Sequence, residues 1–491
     1  MPGRLVCEGE MKDATKLFYL ATALSLVLNA CGPSSSPTAT AVPPTPTLVS
    51  IPNRKDLTLQ EQSSAPHTLL ETKPSDGLED NHLGGIWSDF WQPMDFQFTI
   101  DHEIVPMGLK RARITINEGE FFTNTESGLS IDWSKPELSI PPEFDNYVTE
   151  LIAHKVTVDY VLTFWDKANH PNGWNVPARF QTEEEVARYL EYVHFIVSHF
   201  KGRVQYYELW NEPENGVPLQ YIEPSDYIEL ARRTIPVIHE IDPEARVIVG
   251  GVSWTAEPNR RNYLFALLDS EVMTLADGVS WHPLYGDTPD AGQYPDYYAS
   301  YPSLLAEIIR KAKQNGFRGE FIADEISYRG PGCGGCNITD PSFSNIIAGK
   351  YTARGIILHL GNNVAAGVGG IAAARTVHYN TLRNIANVFA GANASAFKVD
   401  VQTEAKNFKV FTFTKTDGSR LIALWTDGIA VDNDYGVPFS IVIPEFGGWN
   451  ATGIDILKGL EQELTTSNEN GNLNIRGLLI RDYPIIIRMS K

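Results

Sequence analysis

The chain has 491 residues, of which 43% are hydrophobic and 20% are charged, as is usual in soluble globular proteins. It is too long for one small domain, and its length suits a barrel of about 250–300 residues with an added domain. The formal net charge of −20 argues against nucleic acid and anionic membrane surfaces as partners, because like charges repel.

The N-terminal residues are typical of an exported protein. Met11 is the expected true start, because residues 1–10 have no evident role. Residues 17–28 form an apolar stretch that is too short to span a bilayer and has the length of a signal peptide. Residues 28–31, Leu-Asn-Ala-Cys, resemble a bacterial lipobox, which predicts a lipid on Cys31. The alternative is an ordinary signal peptide in which Cys31 is incidental.

We place the predicted signal peptide at residues 1–31, and a tether follows it. Residues 32–50 are rich in Pro, Ser and Thr, cannot bury a core and suit an extended spacer. We group residues 32–80 as this tether and a polar segment without a clear pattern, which could supply a strand to the C-terminal domain. Such a protein would lie outside the cytoplasm, either lipid-anchored to the bacterial membrane or secreted. It would touch the membrane only through its anchor.

Residues 81–392 alternate strand and helix patterns at the spacing of a (β/α)8 TIM barrel, an α/β fold. Thr182 and Glu185 have the spacing of a capping box, and the apolar residues that follow share one helical face. Further helices are predicted at residues 225–241, 303–315 and 380–390. The eight predicted strands are residues 82–87, 109–116, 156–165, 204–209, 245–253, 278–282, 321–327 and 364–374.

The pattern changes in residues 393–491, where short strands are separated by turns without a long helical stretch. This pattern of short strands and turns predicts an antiparallel β-sandwich domain. We expect it to support the barrel rather than to bind a ligand. Its predicted strands are residues 396–400, 409–413, 421–425, 439–443 and 483–489.

Two predicted barrel strands end in a glutamate. Glu212 follows the strand at residues 204–209, which Pro213 terminates because proline cannot continue a hydrogen-bonded ladder. Glu325 lies near the end of the strand at residues 321–327. A carboxyl group against apolar surface has a raised pKa and can act as a general acid, so we expect this of Glu212. Two carboxyl groups are what hydrolysis of a glycosidic bond requires; the alternative for Glu212 is a strand-end side chain in water.

The Trp-Asn-Glu-Pro string at residues 210–213, followed by the strand-end Glu325, resembles clan A of the retaining glycoside hydrolases, and within it families 39 and 5. The likeness covers most of the chain after about residue 80, and the two carboxylate motifs are its specific part. It implies that Glu212, after barrel strand 4, is the acid/base and that Glu325, on strand 7, is the nucleophile. The implied reaction is retaining hydrolysis of β-glycosidic bonds in oligo- or polysaccharides through a covalent glycosyl-enzyme.

The resemblance also implies roles for polar residues near the two glutamates. Asn211 would bind the sugar 2-hydroxyl, since an amide can both donate and accept. Arg113, with Arg111 as the alternative, would lie beside Glu325 and keep it ionised.

Aromatic residues and a histidine at other strand ends complete the implied sugar site. His282 and Tyr285 occupy the tip of strand 6, where clan A enzymes often place a His or Tyr that touches substrate or nucleophile; the alternative for His282 is a core residue. Trp165 and Asp166 end strand 3 and could line the cleft, and Trp174 is a weaker candidate. Strand 8 ends at residues 372–375 without the tryptophan that often floors the sugar subsite in this clan. The sugar and the choice between exo- and endo-action therefore stay open.

Cys333 and Cys336 form a Cys-Gly-Gly-Cys sequence in the loop after Glu325. Two thiols alone make a poor zinc site, and in an oxidising compartment we expect a disulfide, with free thiols as the alternative. The sequence contains no phosphate-binding loop, dinucleotide fingerprint or HExxH motif. We therefore expect no cofactor and no metal.

Two interpretations from different classes follow. The first is a retaining β-glycosidase. The second is a non-catalytic carbohydrate-binding lipoprotein on the same TIM-barrel scaffold, which would pass glycan to a transporter. The pair of glutamates favours the enzyme, because a binding protein has no need of two buried acids.

Overall fold

The structure is a computed structural model that describes residues 58–61, 63–87, 95–116, 140–163, 178–215, 221–290, 293–328, 343–369 and 376–491. Cys31, Cys333, Cys336 and Trp165 lie outside these ranges, so the predictions made for them stay predictions. Among the described helices, none is long and apolar enough to cross a membrane.

The centre of the fold is a closed barrel of eight parallel strands, as the sequence predicted. The first described strand of the chain, β1 (His67–Leu69), belongs to a different sheet, so barrel strands 1 to 8 are β2 to β9. Nearly every barrel-strand residue is buried, because side chains fill the interior and helices cover the outside. The barrel strands are β2 (Leu83–Ile86), β3 (Arg111–Ile114), β4 (Thr157–Val161), β5 (Tyr206–Leu209), β6 (Arg246–Val252), β7 (Gly278–Trp281), β8 (Glu320–Ile326) and β9 (Val364–Val368).

Helices follow the strands around the barrel. Thr182 caps one of them, since its side chain accepts from the Glu185 N–H at 3.2 Å, as the capping-box pattern predicted. Another helix begins at Tyr297, six residues before the predicted start, because buried Tyr297 and Tyr301 extend its apolar face across Pro302. The α-helices are α1 (Phe96–Thr99), α2 (Val105–Met107), α3 (Pro142–Ala153), α4 (Glu183–Phe200), α5 (Pro224–Ile241), α6 (Pro258–Leu268), α7 (Tyr297–Gln314), α8 (Asn345–Leu360) and α9 (Val377–Val388), with a π-helical segment (Ile100–Ile104) between α1 and α2.

The C-terminal domain consists of two antiparallel sheets, as predicted. One contains, in spatial order, β1, β16, β15, β19, β13, β12 and β10, and the other contains β11, β14, β18 and β17. The strand predicted at residues 396–400 is wrong, because the chain there passes between two short strands in different sheets. The strands are β10 (Ala392–Ala394), β11 (Asp400–Gln402), β12 (Phe408–Lys415), β13 (Arg420–Thr426), β14 (Val437–Ile443), β15 (Asn450–Asp455), β16 (Leu460–Glu463), β17 (Thr466–Glu469), β18 (Asn472–Ile480) and β19 (Ile485–Ser490).

The helix α8 joins the two domains. Twelve of its residues are buried, because it packs between the barrel and the sandwich. The Lys350 ammonium forms an ion pair with Asp482 at 2.6 Å, and Arg354 Nε donates to the Asp482 carbonyl at 2.8 Å. These buried polar contacts hold the sandwich against the barrel.

Candidate active site

Glu212 lies where the chain leaves β5. All residues of β5 are buried, and the chain then turns sharply, because Trp210 and Glu212 both have positive φ angles, 67° and 49°. This left-handed conformation costs a non-glycine residue about 1–2 kcal/mol, so neighbouring contacts must hold it. One of them is the hydrogen bond from the Glu212 N–H to the Gly251 carbonyl, 3.0 Å long. The turn fixes Glu212 at the barrel mouth, where the carboxyl ends of the strands meet.

The Glu212 carboxylate is hydrogen-bonded through both oxygens. Oε1 lies 3.1 Å from His282 Nδ1 and accepts from the Tyr285 hydroxyl at 3.2 Å. Oε2 accepts from the Asn215 side-chain amide at 2.9 Å. The Tyr285 hydroxyl also lies 2.7 Å from His282 Nδ1. The structure therefore brings together three of the residues singled out in the sequence, Glu212, His282 and Tyr285.

Glu325 lies one residue before the end of β8. Its Oε2 is 3.6 Å from His282 Nδ1, and one carboxylate oxygen each of Glu212 and Glu325 and a ring nitrogen of His282 all lie within 4.8 Å of one another. Space for the Glu325 side chain depends on Gly369, because a Cβ atom there would come within 2.5 Å of Glu325 Cγ. The two glutamates thus meet around one buried histidine.

The protonation of Glu212 differs from the sequence prediction of a raised pKa. Burial does raise the pKa of Glu212, but the hydrogen bond and charge of His282, with the hydrogen bond from Asn215, outweigh it and lower this pKa to about 2. Burial lowers the pKa of His282, yet the charges of Asp324 and Glu325 and the hydrogen bond to Glu212 raise it to about 9. Near neutral pH the pair therefore holds one proton, and that proton rests on the imidazole.

Arg113 is buried, but it does not pair with Glu325 as predicted. Its Nε forms ion pairs with Glu208 at 2.5 Å and Asp324 at 3.3 Å, both inside the barrel. Asp324 and Glu325 lie where the ladder between β8 and β9 is irregular, between Ala323 and Ile326. Of these two neighbouring carboxylates, the guanidinium contacts that of Asp324. Nη2 of Arg113 donates to Asn211 Oδ1 at 2.9 Å, which orients that amide and leaves its NH2 group as the donor toward a ligand.

Arg111, the alternative to Arg113, is excluded from the barrel mouth. Its guanidinium pairs with Glu320 at 2.8 Å and lies over the Tyr206 ring, 4.4 Å from its centroid. Glu320 and Tyr206 are the first residues of β8 and β5, so this pair lies at the end of the barrel opposite to Glu212.

The sequence analysis missed two buried acids beneath the site, Glu208 and Asp324. Glu208 accepts from the Ser280 hydroxyl at 2.7 Å, and it shares the Arg113 guanidinium with Asp324. Burial and the charge of Glu208 raise the pKa of Asp324 well above its usual value. Burial also raises the pKa of Glu208, but the Arg113 charge outweighs it and lowers the pKa. The signal available in the sequence was the presence of acidic residues inside two otherwise apolar strands.

Comparison with known proteins identifies the fold. No family model matches the chain, and no curated protein matches it in sequence. A family 39 glycoside hydrolase from the gut symbiont Bacteroides cellulosilyticus WH2 aligns with a TM-score of 0.58 and 17% identity, over 84% of this chain and 82% of that chain. A glucosidase from Croceicoccus marinus aligns with a TM-score of 0.55 and 15% identity, over 87% and 99%. The catalytic domain of family 30 xylanase C from Talaromyces cellulolyticus aligns with a TM-score of 0.53 and 10% identity, over 86% and 98%. The chain therefore shares the fold of these glycoside hydrolases.

A second group of side chains borders Glu212 at the end of β5. Glu214 Oε1 accepts from the N–H of Ser253 at 2.9 Å and from its hydroxyl at 2.6 Å. The indole N–H of Trp254 lies 3.2 Å from both carboxylate oxygens of Asp287, and the Trp254 ring packs edge-on against Tyr294. The sequence analysis named none of these residues, because they gather only when β5, β6 and β7 lie side by side.

Glu212, His282 and Glu325 are also the group in the described ranges whose donor atoms are close enough to hold a metal ion. These atoms already pair with one another, and the imidazolium supplies the positive charge between the two carboxylates. A cation would have to displace it. The expectation that the protein has no metal and no cofactor stays a prediction.

Several residues of the sequence analysis lie outside the part of the chain that the structure describes. Trp165, Asp166 and Trp174 lie outside the described residues, as do Cys333 and Cys336. The end of strand 8 at residues 372–375 lies outside them as well.

Proposed function

We propose that this protein is a retaining glycoside hydrolase that cleaves β-glycosidic bonds of oligo- or polysaccharides, with Glu212 as acid/base and Glu325 as nucleophile. The observation that supports this proposal best is that oxygens of the two carboxylates lie within 4.8 Å of each other. Retaining enzymes hold their carboxyl groups about 5–5.5 Å apart, whereas inverting enzymes need about 6.5–9.5 Å to admit a water molecule. The short separation favours direct attack by Glu325.

In the first step, a Glu325 oxygen bonds to the anomeric carbon while the bond from that carbon to the leaving oxygen breaks. The electron pair of the broken bond goes to the leaving oxygen, which takes a proton from Glu212. The products are a glycosyl ester on Glu325, an anionic Glu212 and a departing group that carries a hydroxyl.

In the second step, Glu212 takes a proton from a water molecule, whose oxygen bonds to the anomeric carbon while the ester bond to Glu325 breaks. Two inversions at the same carbon restore the β configuration. Glu212 ends protonated and Glu325 ends as a carboxylate, so the cycle closes without another reactant.

The proton used in the first step starts on His282. His282 Nδ1 lies 3.1 Å from Glu212 Oε1, and moving one proton along this hydrogen bond converts the ion pair into a carboxylic acid and a neutral imidazole. The Tyr285 hydroxyl, 3.2 Å from the same Glu212 oxygen, can stabilise the carboxylate again once the proton has left. Asn211, with its oxygen held by Arg113, is placed to donate to a sugar hydroxyl.

The stereochemistry of the first product tests the mechanism. Proton NMR, recorded immediately after a β-glycoside is added, should show the β-anomer of the released sugar. Release of the α-anomer would mean inversion and would overturn the assignment of Glu212 and Glu325.

Variants of the two glutamates test the separate roles. Glu325→Ala should abolish cleavage for every leaving group, and azide should restore activity with an inverted α-glycosyl azide as product. Glu212→Ala should retain much of its activity on a dinitrophenyl glycoside, which needs no acid, and should lose it on an alkyl glycoside. Its azide product should keep the β configuration. Equal losses on both substrates in Glu212→Ala would contradict its role as the acid.

The carbohydrate-binding lipoprotein is the alternative. It predicts that sugars bind without turnover, so a panel of aryl β-glycosides with β-glucan, xylan and mannan polymers distinguishes the two functions and identifies the sugar.

The lipid on Cys31 remains a proposal. Cys31→Ala should release the protein from the membrane fraction or block its processing, and wild-type protein that starts at another residue in the medium would refute the anchor.

A further inference from the structure

Trp254 stands beside the proposed acid/base in a backbone conformation that tryptophan rarely adopts. It lies two residues after the end of β6, and its φ angle is 33°. A bulky residue with positive φ is strained, and such strain persists only where surrounding contacts hold it. Residues of this kind concentrate at functional sites, so the contacts of Trp254 are informative.

The indole ring is fixed at its polar edge and by a second aromatic ring. Its N–H lies 3.2 Å from each Asp287 oxygen. Tyr294 packs at a centroid distance of 5.3 Å with an interplanar angle of 63°. Trp254 as a whole is nevertheless only partly buried. A rigid, partly exposed indole offers apolar contact area at little entropic cost, which suits stacking against the C–H face of a sugar ring.

Asp287 connects this ring to the catalytic centre. Its carboxylate is buried, and besides the indole it accepts from the Tyr285 N–H at 2.9 Å. The Tyr285 hydroxyl in turn reaches Glu212 at 3.2 Å. Burying a carboxylate is costly, and this one fixes Trp254 relative to the residue that contacts the acid.

Trp254 lies on the side of the site from which the leaving group departs. β6 pairs directly with β5 and is separated from β8 by β7. The Gly251 carbonyl of β6 accepts from the Glu212 N–H at 3.0 Å, and the Ser253 N–H donates to Glu214 at 2.9 Å. Because the acid protonates the leaving-group oxygen, a ring beside the acid meets the departing group rather than the sugar attached to Glu325.

We infer that Trp254 is the stacking platform for the sugar ring on the leaving-group side. This inference rests on the proposed glycosidase function and adds to it the residue that binds the departing sugar. Asp287 and Tyr294 are positioning residues for the platform.

Paired substrates test the inference. One is a β-linked disaccharide, and the other is the β-glycosyl fluoride of the same sugar, whose leaving group has no ring to stack. Both substrates carry the same glycosyl unit. It is chosen from glucose, xylose, galactose and mannose as the one whose β-glycosides the wild type cleaves. Trp254→Ala should lower kcat/KM for the disaccharide about tenfold or more and leave that for the fluoride within about twofold, because aromatic contacts act only where a ring is present. Trp254→Phe should recover part of the loss.

A second measurement uses transglycosylation, in which an acceptor sugar binds on the leaving-group side. With the fluoride as donor and a free monosaccharide as acceptor, Trp254→Ala should form less transglycosylation product relative to hydrolysis than the wild type does. Trp449→Ala, which removes a partly buried indole from the sandwich domain, serves as the matched control. It should change neither the ratio of disaccharide to fluoride turnover nor the ratio of transglycosylation to hydrolysis.

The outcomes separate the two proposals. If the wild type cleaves both substrates and Trp254→Ala loses activity equally on both, or on neither, the platform is refuted and the glycosidase function stands. If the wild type cleaves neither the fluoride nor any disaccharide of the panel, the proposed function itself fails.

Discussion

Replacement of His282 by asparagine tests where the catalytic proton is kept. In the wild type the Glu212–His282 pair keeps one proton until the pH approaches the pKa of the imidazole, about 9. Because the first step needs that proton, kcat/KM should fall as the pH rises through this value. In His282→Asn the proton can be held only by Glu212, and the basic limb of the pH profile then reports the pKa of Glu212 itself.

The size of the shift follows from the contacts of Glu212. The variant loses the hydrogen bond and the positive charge that lower its pKa to about 2, while burial, which raises it, remains. The pKa of Glu212 should therefore move upward past its ordinary value of about 4.3, but it stays far below 9 because Asn215 still donates to the carboxylate. We expect the pH at which kcat/KM falls to be about two units lower, or more, in His282→Asn than in the wild type. At a pH two units above the new value, kcat/KM of the variant should be about 100-fold below its plateau.

The assay is the pH dependence of kcat/KM on an alkyl β-glycoside, with a dinitrophenyl β-glycoside as the control substrate. Dinitrophenolate leaves without being protonated. The pH profile measured with this substrate should therefore have no basic limb in either the wild type or His282→Asn. His359→Asn, which removes a buried imidazole from α8, controls for general loss of packing and should leave the limb in place. A basic limb at the same pH in wild type and His282→Asn would refute the reasoning.

Three further predictions concern single side chains. Gly369→Ala places a Cβ within 2.5 Å of Glu325 Cγ, so kcat on the dinitrophenyl glycoside should fall about 100-fold with little change in melting temperature; unchanged kcat would contradict the close approach. Arg113→Met leaves two buried acids without their cation and should lower the free energy of unfolding in urea by about 3–5 kcal/mol, whereas a loss below about 1 kcal/mol would show that the acids neutralise themselves. Burial lowers the pKa of His359 to about 4, so its contribution to stability is present above the unfolded pKa of about 6.5 and is lost as pH falls through 4. Between pH 7 and 4 the wild type should therefore lose about 3 kcal/mol more than His359→Gln, and parallel losses would contradict this.

The barrel and its two glutamates were predictable because their signals are local. Most of the barrel strands are short apolar runs, which are buried when helices cover the sheet. Glu212 follows such a run next to Pro213, so its position at a strand tip could be deduced from a few neighbouring residues.

The protonation of Glu212 and the partners of Arg113 were not predictable, because they depend on side chains distant in sequence. His282 is 70 residues from Glu212, and its charge reverses the direction of the pKa shift expected from apolar surroundings. Two consecutive acids on β8, Asp324 and Glu325, were possible partners for Arg113. Its contact with Asp324 depends on how side chains pack inside the closed barrel.

The sandwich was predicted only in part for a different reason. β17 (Thr466–Glu469) is polar and mostly exposed, and β15 (Asn450–Asp455) contains Gly453, so neither shows the alternating apolar pattern of a strand. Their conformation is set by the neighbours with which they pair.

The pairing of β1 with β16 has a consequence for the order of events during synthesis. His67 pairs with Gln462, and Leu69 with Leu460, so this edge of the sheet cannot form until nearly the whole chain has left the ribosome. The barrel between them can close earlier from contacts that are nearer in sequence. Until then Leu59, buried in the finished sandwich core, has no apolar partner from the C-terminal strands. A chain that stops after the barrel would keep this segment unpaired and open to proteases. Release of residues 393–491 would allow β1 to join the sheet of the sandwich.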